Sequence, residues 1–294
     1  MPRHTFRQAA ALALALGLGA ASLGAAKAPP PGIPVLATED TVRIASGALP
    51  EYLVTAPRVT LDEILRRVNA GEVRRDSLMR DQAFTRILKV VYRYDTTDST
   101  KHPVTQLDDA RRIFKKRPDR LREVPLRHKT PNKKDDVEVD TNAGMGEQVA
   151  SFAFEPRERG NYQFAILDRK WVGGHVVYQI GFEPKSDLDP LPSGKVWIDT
   201  NEYVIVREEF WYHDRSPAPL FLERIDRCVV ERSRVDGPWW VITRVFGRVR
   251  LAGPVLTFAN LGKDRVSKTV DFSAYYTNWQ VNRGLPDSLF VSKK

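Results

Sequence analysis

The spacing of apolar residues changes along the chain, and each spacing predicts a different secondary structure. Between residues 60 and 70 the apolar positions recur at intervals of three and four, which is the repeat of an amphipathic helix. Thr60 and Glu63 form a T-x-x-E capping box at its start, and Gly71 predicts its end. The apolar face of this helix consists of Leu61, Ile64, Leu65 and Val68.

From Phe84 onward apolar and polar residues alternate, which is the period of a β-strand. The first predicted strand runs from about Phe84 to Tyr94. A strand pair is predicted across Ile113 to Leu126, with a turn near Pro118. The polar segments 95–109 and 129–147 predict loops.

The C-terminal half of the chain predicts eight more strands. All six tryptophans and 22 of the 28 aromatic residues lie after residue 150, and aromatic residues suit a pleated, half-buried surface. Clusters of Gly, Pro, Asn and Asp separate the segments, and no helical pattern intervenes. The predicted strands are Ser151–Phe154, Tyr162–Arg169, His175–Pro184, Gly194–Asp199, Tyr203–His213, Leu222–Arg232, Trp239–Leu251 and Lys268–Asn278.

These elements predict a mainly β fold of the α+β kind, with one short helix and about ten strands in a meandering antiparallel sheet. Because large flat sheets are rare, we expect a curved sheet or incomplete β-barrel, with the N-terminal helix capping its concave side. Such a shape encloses an apolar cavity, although the same side chains could form an ordinary filled core. The candidate lining residues are Leu61, Ile64, Leu65, Val68, Leu88, Val90, Trp197, Phe210, Trp211 and Phe246.

Residues 1–26 have the layout of a cleavable secretory signal peptide. Basic residues precede an apolar run at Ala9–Leu18, and small residues lead to a cleavage site. A transmembrane anchor is the alternative, but the apolar run is shorter than the roughly 20 residues that span a bilayer. Residues 27–58 contain six prolines and predict a leader or linker, followed by a single domain at 59–294. We therefore expect a soluble periplasmic or secreted protein.

The positive charge of the chain is concentrated in one segment. The whole chain of 294 residues has a formal net charge of +9, and residues 111–134 alone contribute eleven basic and two acidic residues, which is also +9. Such a segment could dock to an anionic membrane or an acidic protein, or it could be a solvated strand pair. Only Phe114 is interleaved with the charges, so we do not expect nucleic acid as a partner. The candidate docking residues are Arg111, Arg112, Lys115, Lys116, Arg117, Arg120 and Arg122.

The sequence contains no familiar catalytic motif. A G-x-S-x-G elbow, a P-loop, a G-x-G-x-x-G loop and an H-E-x-x-H helix are all missing from it. The single cysteine, Cys228, cannot form an internal disulfide, and we expect it to be buried as a small apolar residue. The sequence therefore predicts a non-enzymatic protein without a cofactor or metal.

Two pairs of carboxylates are candidates for acid–base chemistry. Asp199 and Glu202 flank a predicted hairpin turn, and a hydrolase would need them gathered with His213. Solvated turn residues are the more ordinary interpretation. Glu208 and Glu209 are adjacent on a predicted strand, so at most one of them faces inward.

Five segments together carry a family resemblance. The capped helix Thr60–Ala70 precedes the first strand, and Lys116–Arg122 follows the pattern K-R-P-x-x-x-R. Gly174–Lys185 reads G-H-x-V-Y-x-I-x-F-x-P-K, Gly194–Thr200 reads G-K-V-W-I-D-T, and Asn282–Phe290 reads N-R-G-L-P-D-S-L-F. In this order, they resemble the periplasmic outer-membrane lipoprotein-sorting proteins, the lipoprotein-carrier (Lol-type) superfamily.

The resemblance implies an incomplete antiparallel barrel capped by helices, with an apolar cavity for acyl chains. The first hypothesis is therefore a carrier that holds the acyl chains of a lipid or lipoprotein. The alternative is an envelope scaffold or stress sensor of the same fold, which binds a protein partner.

Overall fold

The structure is a computed structural model that describes most of the chain after residue 58. The predicted signal peptide, the predicted leader and His213 lie outside the described residues, as does the predicted loop at 129–147 apart from its first residue. The extent of the domain stays a prediction. The described residues are 59–94, 105–129, 152–172, 175–186, 188–212, 222–235, 237–251 and 268–291.

In the part of the chain that the structure describes, one α-helix, α1 (Leu61–Leu78), precedes the sheet. The Thr60 hydroxyl accepts a hydrogen bond from the backbone N–H of Glu63 at 3.3 Å, so the predicted cap is present. The predicted end at Gly71 is wrong, because the helix continues for seven more residues. Gly71 has a packing role instead. A Cβ atom at this position would lie 2.2 Å from the backbone oxygen of Tyr203, so only glycine lets the helix approach the sheet this closely.

Among the described residues ten strands follow helix α1, and most of them lie where the alternation predicts them. The strands are β1 (Asp81–Tyr94), β2 (Thr105–Lys116), β3 (Arg120–Lys129), β4 (Tyr162–Val172), β5 (His175–Pro184), β6 (Ser193–Asp199), β7 (Val204–Trp211), β8 (Leu222–Val235), β9 (Trp239–Leu251) and β10 (Lys268–Val281).

Two predicted segments differ from the structure. The predicted strand at 151–154 is wrong, because Phe152–Phe154 is a turn of 3-10 helix. Phe154 packs there against Phe164 and Phe182, so its apolar character reflects packing rather than a pleat. The predicted loop at 95–109 is also wrong at its end, because β2 begins at Thr105. Asp109 interrupts the alternation that would predict this part of the strand, because its polar side chain faces the interior and is only 1% exposed.

All ten strands form one antiparallel sheet in the order β3-β2-β1-β10-β9-β8-β7-β6-β5-β4. From β4 to β10 each strand pairs with its neighbour in the sequence, which confirms the predicted meander. Strand β1 lies between β2 and β10, with a register that runs from Gln82 opposite Val281 to Tyr94 opposite Lys268. The outer strands β3 and β4 do not pair with each other, so the sheet curves without closing.

The main apolar core lies on the concave face of the sheet, against helix α1. A single cluster of buried side chains includes Ile64 and Val68 of α1, and it extends from Leu107 on β2 to Tyr162 on β4. A smaller cluster lies at the other end of β1 and β10, where the rings of Phe84 and Trp279 stack with their centroids 4.2 Å apart. The predicted fold class, a curved antiparallel sheet with one short helix, is confirmed.

Candidate functional site on the concave face

Most of the predicted lining residues lie on the concave face. Six of them belong to the buried core cluster, and Leu61 packs against it while keeping some accessible surface. They come from helix α1 and from strands that are distant in sequence, and the curved sheet brings them together. The six buried residues are Ile64, Leu65, Val68, Leu88, Val90 and Phe210.

Three predicted lining residues lie on the other face of the sheet. Trp197 lies between the buried Val196 and Ile198 on β6, so the alternation of the strand turns its ring away from the core. The guanidinium of Arg207 lies over that ring, 5.2 Å from its centroid. Phe246 on β9 and Trp211 on β7 are likewise partly exposed and separate from the core clusters.

Several aromatic side chains border the core on the concave side and remain partly accessible. They pack against the buried cluster, yet they are neither fully buried nor fully exposed. Large rings in this setting offer apolar surface to a ligand at a small cost in conformational entropy. They are Tyr92, Phe164, Trp171, Tyr203, Tyr212 and Tyr276.

A buried ion pair fastens helix α1 to the sheet. Nη1 of Arg232 on β8 donates to both carboxylate oxygens of Glu72 at 2.9 Å, and it also donates to the backbone oxygen of Ile205 at 3.0 Å. Glu72 accepts a further hydrogen bond from the backbone N–H of Ile205 at 2.8 Å, and Arg75 lies 3.4 Å away. Glu72 therefore ties the second half of α1 to two strands.

Glu208 on β7 lies beside this ion pair. It is 2% exposed, and its Oε2 atom has no hydrogen-bond partner in the part of the chain that the structure describes. Burial raises the pKa of Glu208 well above its usual value of 4.5, and the nearby Glu72 carboxylate adds to this shift while Arg232 opposes it. The surroundings of the carboxyl group therefore favour its neutral, protonated form.

Two other titratable side chains share the surroundings of Glu208. Tyr212 packs against the core cluster, and burial raises the pKa of its hydroxyl. Burial likewise raises the pKa of the Cys228 thiol, which lies in the core as the sequence predicts. The alternation of β7 correctly predicted that at most one of Glu208 and Glu209 faces inward, but the sequence offered no signal that Glu72 and Arg232 would lie beside Glu208.

A second buried ionic cluster lies near the other edge of the same face. Asp109 on β2 lies 3.5 Å from Arg86 and 3.0 Å from Arg111, and its other oxygen lies 3.1 Å from Nδ1 of His128. Glu123 on β3 completes the group at 3.0 Å from Arg111. Each carboxylate in this cluster faces at least one cation at short range.

The predicted basic docking residues contact other parts of the protein. Lys116 and Arg120 form ion pairs with Asp287 at 2.5 and 2.6 Å, and Arg122 donates to the backbone oxygen of Leu289. Hydrogen bonds from Arg117 reach the backbone of the last turn of α1 and of the residue after it.

Arg111, Arg112 and Lys115 also have partners within the chain. Arg111 belongs to the second ionic cluster, Arg112 donates to the backbone oxygen of Asn278 at 2.9 Å, and Lys115 lies over the ring of Phe84. The basic segment therefore holds the C-terminal segment 282–291 against the β2–β3 hairpin. Docking of this segment to an anionic membrane or an acidic protein stays a prediction.

The two carboxylates that a hydrolase site would need each pair with a different basic side chain. Asp199 lies 2.5 Å from Nε2 of His175, and Glu202 forms an ion pair with Arg234. Among the described residues, no group of three or more His, Cys, Asp and Glu side chains could hold a metal ion. None of the helices in the described ranges is long and apolar enough to cross a membrane.

The candidate site is therefore the concave face of an open, curved sheet. Its apolar surface is bordered by aromatic side chains, and a buried polar cluster lies beneath α1, the one α-helix among the described residues. No model of a protein family matches the chain. No curated protein matches it either.

Solved structures with a similar arrangement do exist. A domain assigned to outer-membrane lipoprotein sorting from Vibrio parahaemolyticus is 13% identical, with a TM-score of 0.33, and the match covers 77% of this chain and 95% of that one. A LolA superfamily protein from Nitrosomonas europaea is 10% identical, with a TM-score of 0.27 and coverages of 80% and 99%.

A DUF1329 family protein from Desulfovibrio piger is 12% identical, with a TM-score of 0.30 and coverages of 77% and 97%. These solved structures include a LolA superfamily protein and a domain described as lipoprotein-sorting. At these identities and TM-scores the likeness does not extend to a ligand or a partner.

Proposed function

We propose that this protein is a non-enzymatic binding protein that holds acyl chains of a lipid or lipoprotein between the concave face and helix α1. The observation that carries the proposal is the band of partly accessible aromatic side chains around the buried core of that face. An acyl chain that covers such surface gains roughly 25 cal/mol for each Å² removed from water. No covalent step is required.

The predicted signal peptide supports the same function. A cleavable signal peptide would direct export, so we propose that the mature protein is a soluble carrier in the periplasm or outside the cell. Its ligands there would be membrane lipids or the acylated ends of lipoproteins.

Two matched aromatic variants test the proposal. Phe164 and Phe246 are both partly exposed, but Phe164 borders the concave core and Phe246 lies on the opposite face beneath Arg244. In a titration with a fluorescent fatty acid, Phe164→Ala should weaken binding roughly tenfold, because a ring contributes about 1.5–3 kcal/mol when buried. Phe246→Ala should leave the affinity unchanged.

Lipid analysis of the purified protein gives an independent test. Mature protein prepared from its native envelope should carry lipid that mass spectrometry detects. If repeated preparations carry none and the fluorescent fatty acid does not bind, the carrier proposal fails.

A protein-binding scaffold is the second candidate, and the edge strand β4 favours it. Ile166 and Leu167 are 43% and 50% exposed on a strand whose outer edge is not paired with another strand of the sheet. A partner could add a strand there. A photo-crosslinker at position 166 should then capture one partner that a crosslinker at Leu126, on the opposite edge strand β3, does not. Equal capture from both positions would rule out addition at β4.

A further inference from the structure

The polar cluster under helix α1 leaves hydrogen-bonding capacity unused. Within the described residues, Oε2 of Glu208 and both Nε and Nη2 of Arg232 lack hydrogen-bond partners. The Arg232 side chain is 1% exposed and Glu208 is 2% exposed, so solvent does not satisfy these atoms. Buried donors and acceptors without partners are rare in native proteins, and each one calls for an explanation.

The two side chains are neighbours on the concave face. Val230 on β8 lies opposite Glu208 in the strand register, and Arg232 is two residues further along, on the same face. Arg232 forms its ion pair with Glu72 through Nη1 and none with Glu208. The free N–H groups of Arg232 and the carboxyl group of Glu208 can therefore share one small polar ligand group.

The available groups are mostly donors. The guanidinium offers its Nε and Nη2 hydrogens, and it has no acceptor. Because burial raises the pKa of Glu208, its neutral carboxyl group offers an O–H as well. Donors from two directions suit a ligand group with acceptor oxygens in one plane, since guanidinium matches that geometry.

We infer that Glu208 and Arg232 form the subsite for the carboxyl-derived end of an acyl chain, either a free carboxylate or an ester carbonyl. This inference rests on the proposed function, because the apolar part of the same ligand lies along the concave face. Tyr212 packs against the core cluster, retains accessible surface and interacts electrostatically with Glu208, so it is a neighbour of the subsite.

Ligands with one tail and different ends test the subsite. Delipidated mature protein is titrated by calorimetry with oleate, methyl oleate and oleyl alcohol. The wild type should bind oleate, methyl oleate or both at least about tenfold more tightly than the alcohol, because hydrogen bonds from charged or buried donors contribute a factor of this size. A much higher affinity for oleate than for methyl oleate identifies a free fatty acid as the ligand. Equal affinities for the two identify an ester-linked acyl chain.

The variants separate the subsite from the acyl surface. Glu208→Leu should remove the preference for the carboxyl-derived end and leave the affinity for oleyl alcohol unchanged. Arg232→Lys keeps a cation for Glu72 but loses the planar N–H edge, so it should also lose the preference while the fold persists. Tyr212→Phe, which keeps the ring, should reduce the preference less than either.

The two proposals fail in different ways. If wild-type protein binds all three ligands with equal affinity, or if Glu208→Leu keeps the preference, the subsite is wrong while the carrier function stands. If none of the three ligands binds, the carrier function itself is wrong.

Discussion

The concave face contains two buried ionic clusters, and they differ in how completely their charges are matched. In the cluster at the β1–β3 side, Asp109 has Arg86, Arg111 and His128 within 3.5 Å. In the cluster under α1, Glu72 takes the only ion pair that Arg232 makes among the described residues, and Glu208 is left without one. Asp109 and Arg86 in the first cluster are as deeply buried as Glu208 and Arg232 in the second, whereas Arg111, Glu123 and His128 keep 18–31% of their side-chain surface exposed.

The difference separates a structural arrangement from a candidate binding site. A buried charge is tolerated when its partners compensate for the lost hydration. The first cluster meets that condition and links three neighbouring strands near an edge of the sheet. The second cluster instead leaves a carboxyl oxygen of Glu208 and two nitrogens of Arg232 without hydrogen bonds among the described residues. Unsatisfied polar groups of this kind are expected where a protein retains function at the expense of stability.

The largest expected effect is the loss of the matched cluster. Asp109→Ala removes the nearer counter-ion of Arg86, which is 3% exposed, and one of the two counter-ions of Arg111. We expect a destabilisation of about 3–5 kcal/mol, the usual result of breaking a buried ion pair from one side. Urea unfolding followed by tryptophan fluorescence measures it. Asp168→Ala is the control, because its ion pair with Lys170 is exposed and should contribute less than about 1 kcal/mol.

The next largest effect concerns the close packing of helix α1 over the second cluster. Gly71→Ala places a Cβ against the backbone of Tyr203 and Glu202, so α1 must move outward. We expect a loss of about 1–3 kcal/mol, typical of overpacking. Gly160→Ala, where no atom lies within 4 Å of the added Cβ, should have little effect in the same unfolding measurement. Equal losses for the two variants would show that close packing at Gly71 does not position α1.

Removal of the Glu208 carboxyl group should increase the free energy of unfolding, whereas the two preceding substitutions should decrease it. Glu208→Leu replaces a buried group that lacks a hydrogen bond by an apolar one of similar length, so we expect a gain of about 1–2 kcal/mol in the absence of ligand. Chemical unfolding of delipidated protein measures this gain. A loss of stability would mean that Glu208 is satisfied in the free protein, and the contrast between the clusters would then disappear.

The smallest effect is a dependence on pH. Because Glu208 has a raised pKa in the folded state, the folded protein binds more protons than the unfolded chain above pH 4.5. The free energy of unfolding is therefore unaffected by this titration below pH 4.5. It decreases as the pH rises toward the pKa of Glu208 in the folded protein. Glu208→Gln does not titrate, so wild-type stability should fall relative to the variant as the pH rises above 4.5. Parallel curves would contradict a buried, neutral Glu208.

The strands were predictable because alternation reports which side chains face a core. His175–Pro184 and Trp239–Leu251 have the predicted bounds. Where a polar residue occupies an interior position the pattern fails, and Asp109 therefore concealed the first half of β2. The helix end predicted at Gly71 is wrong for a similar reason. A glycine that permits close packing cannot be distinguished in a sequence from one that ends a helix.

The candidate site was predictable only in its apolar part. The helical face of α1 and the strand residues Leu88, Val90 and Phe210 could be placed from periodicity. Trp197 and Phe246 are apolar enough to line a cavity, but the register of β6 and β9 turns them to the other face. The grouping of Glu72, Glu208 and Arg232 depends on where α1 crosses the sheet, and no local pattern contains that information.

The position of β1 between β2 and β10 sets the order in which the sheet can be completed. Strands β1 to β3 can pair among themselves early, and β4 to β9 can form a second group of neighbours, but only β10 joins the two groups. The sheet therefore becomes continuous only when nearly the whole chain is available. A chain that ends before Lys268 would leave two unjoined part-sheets of three and six strands, each with an additional open edge at which aggregation can begin.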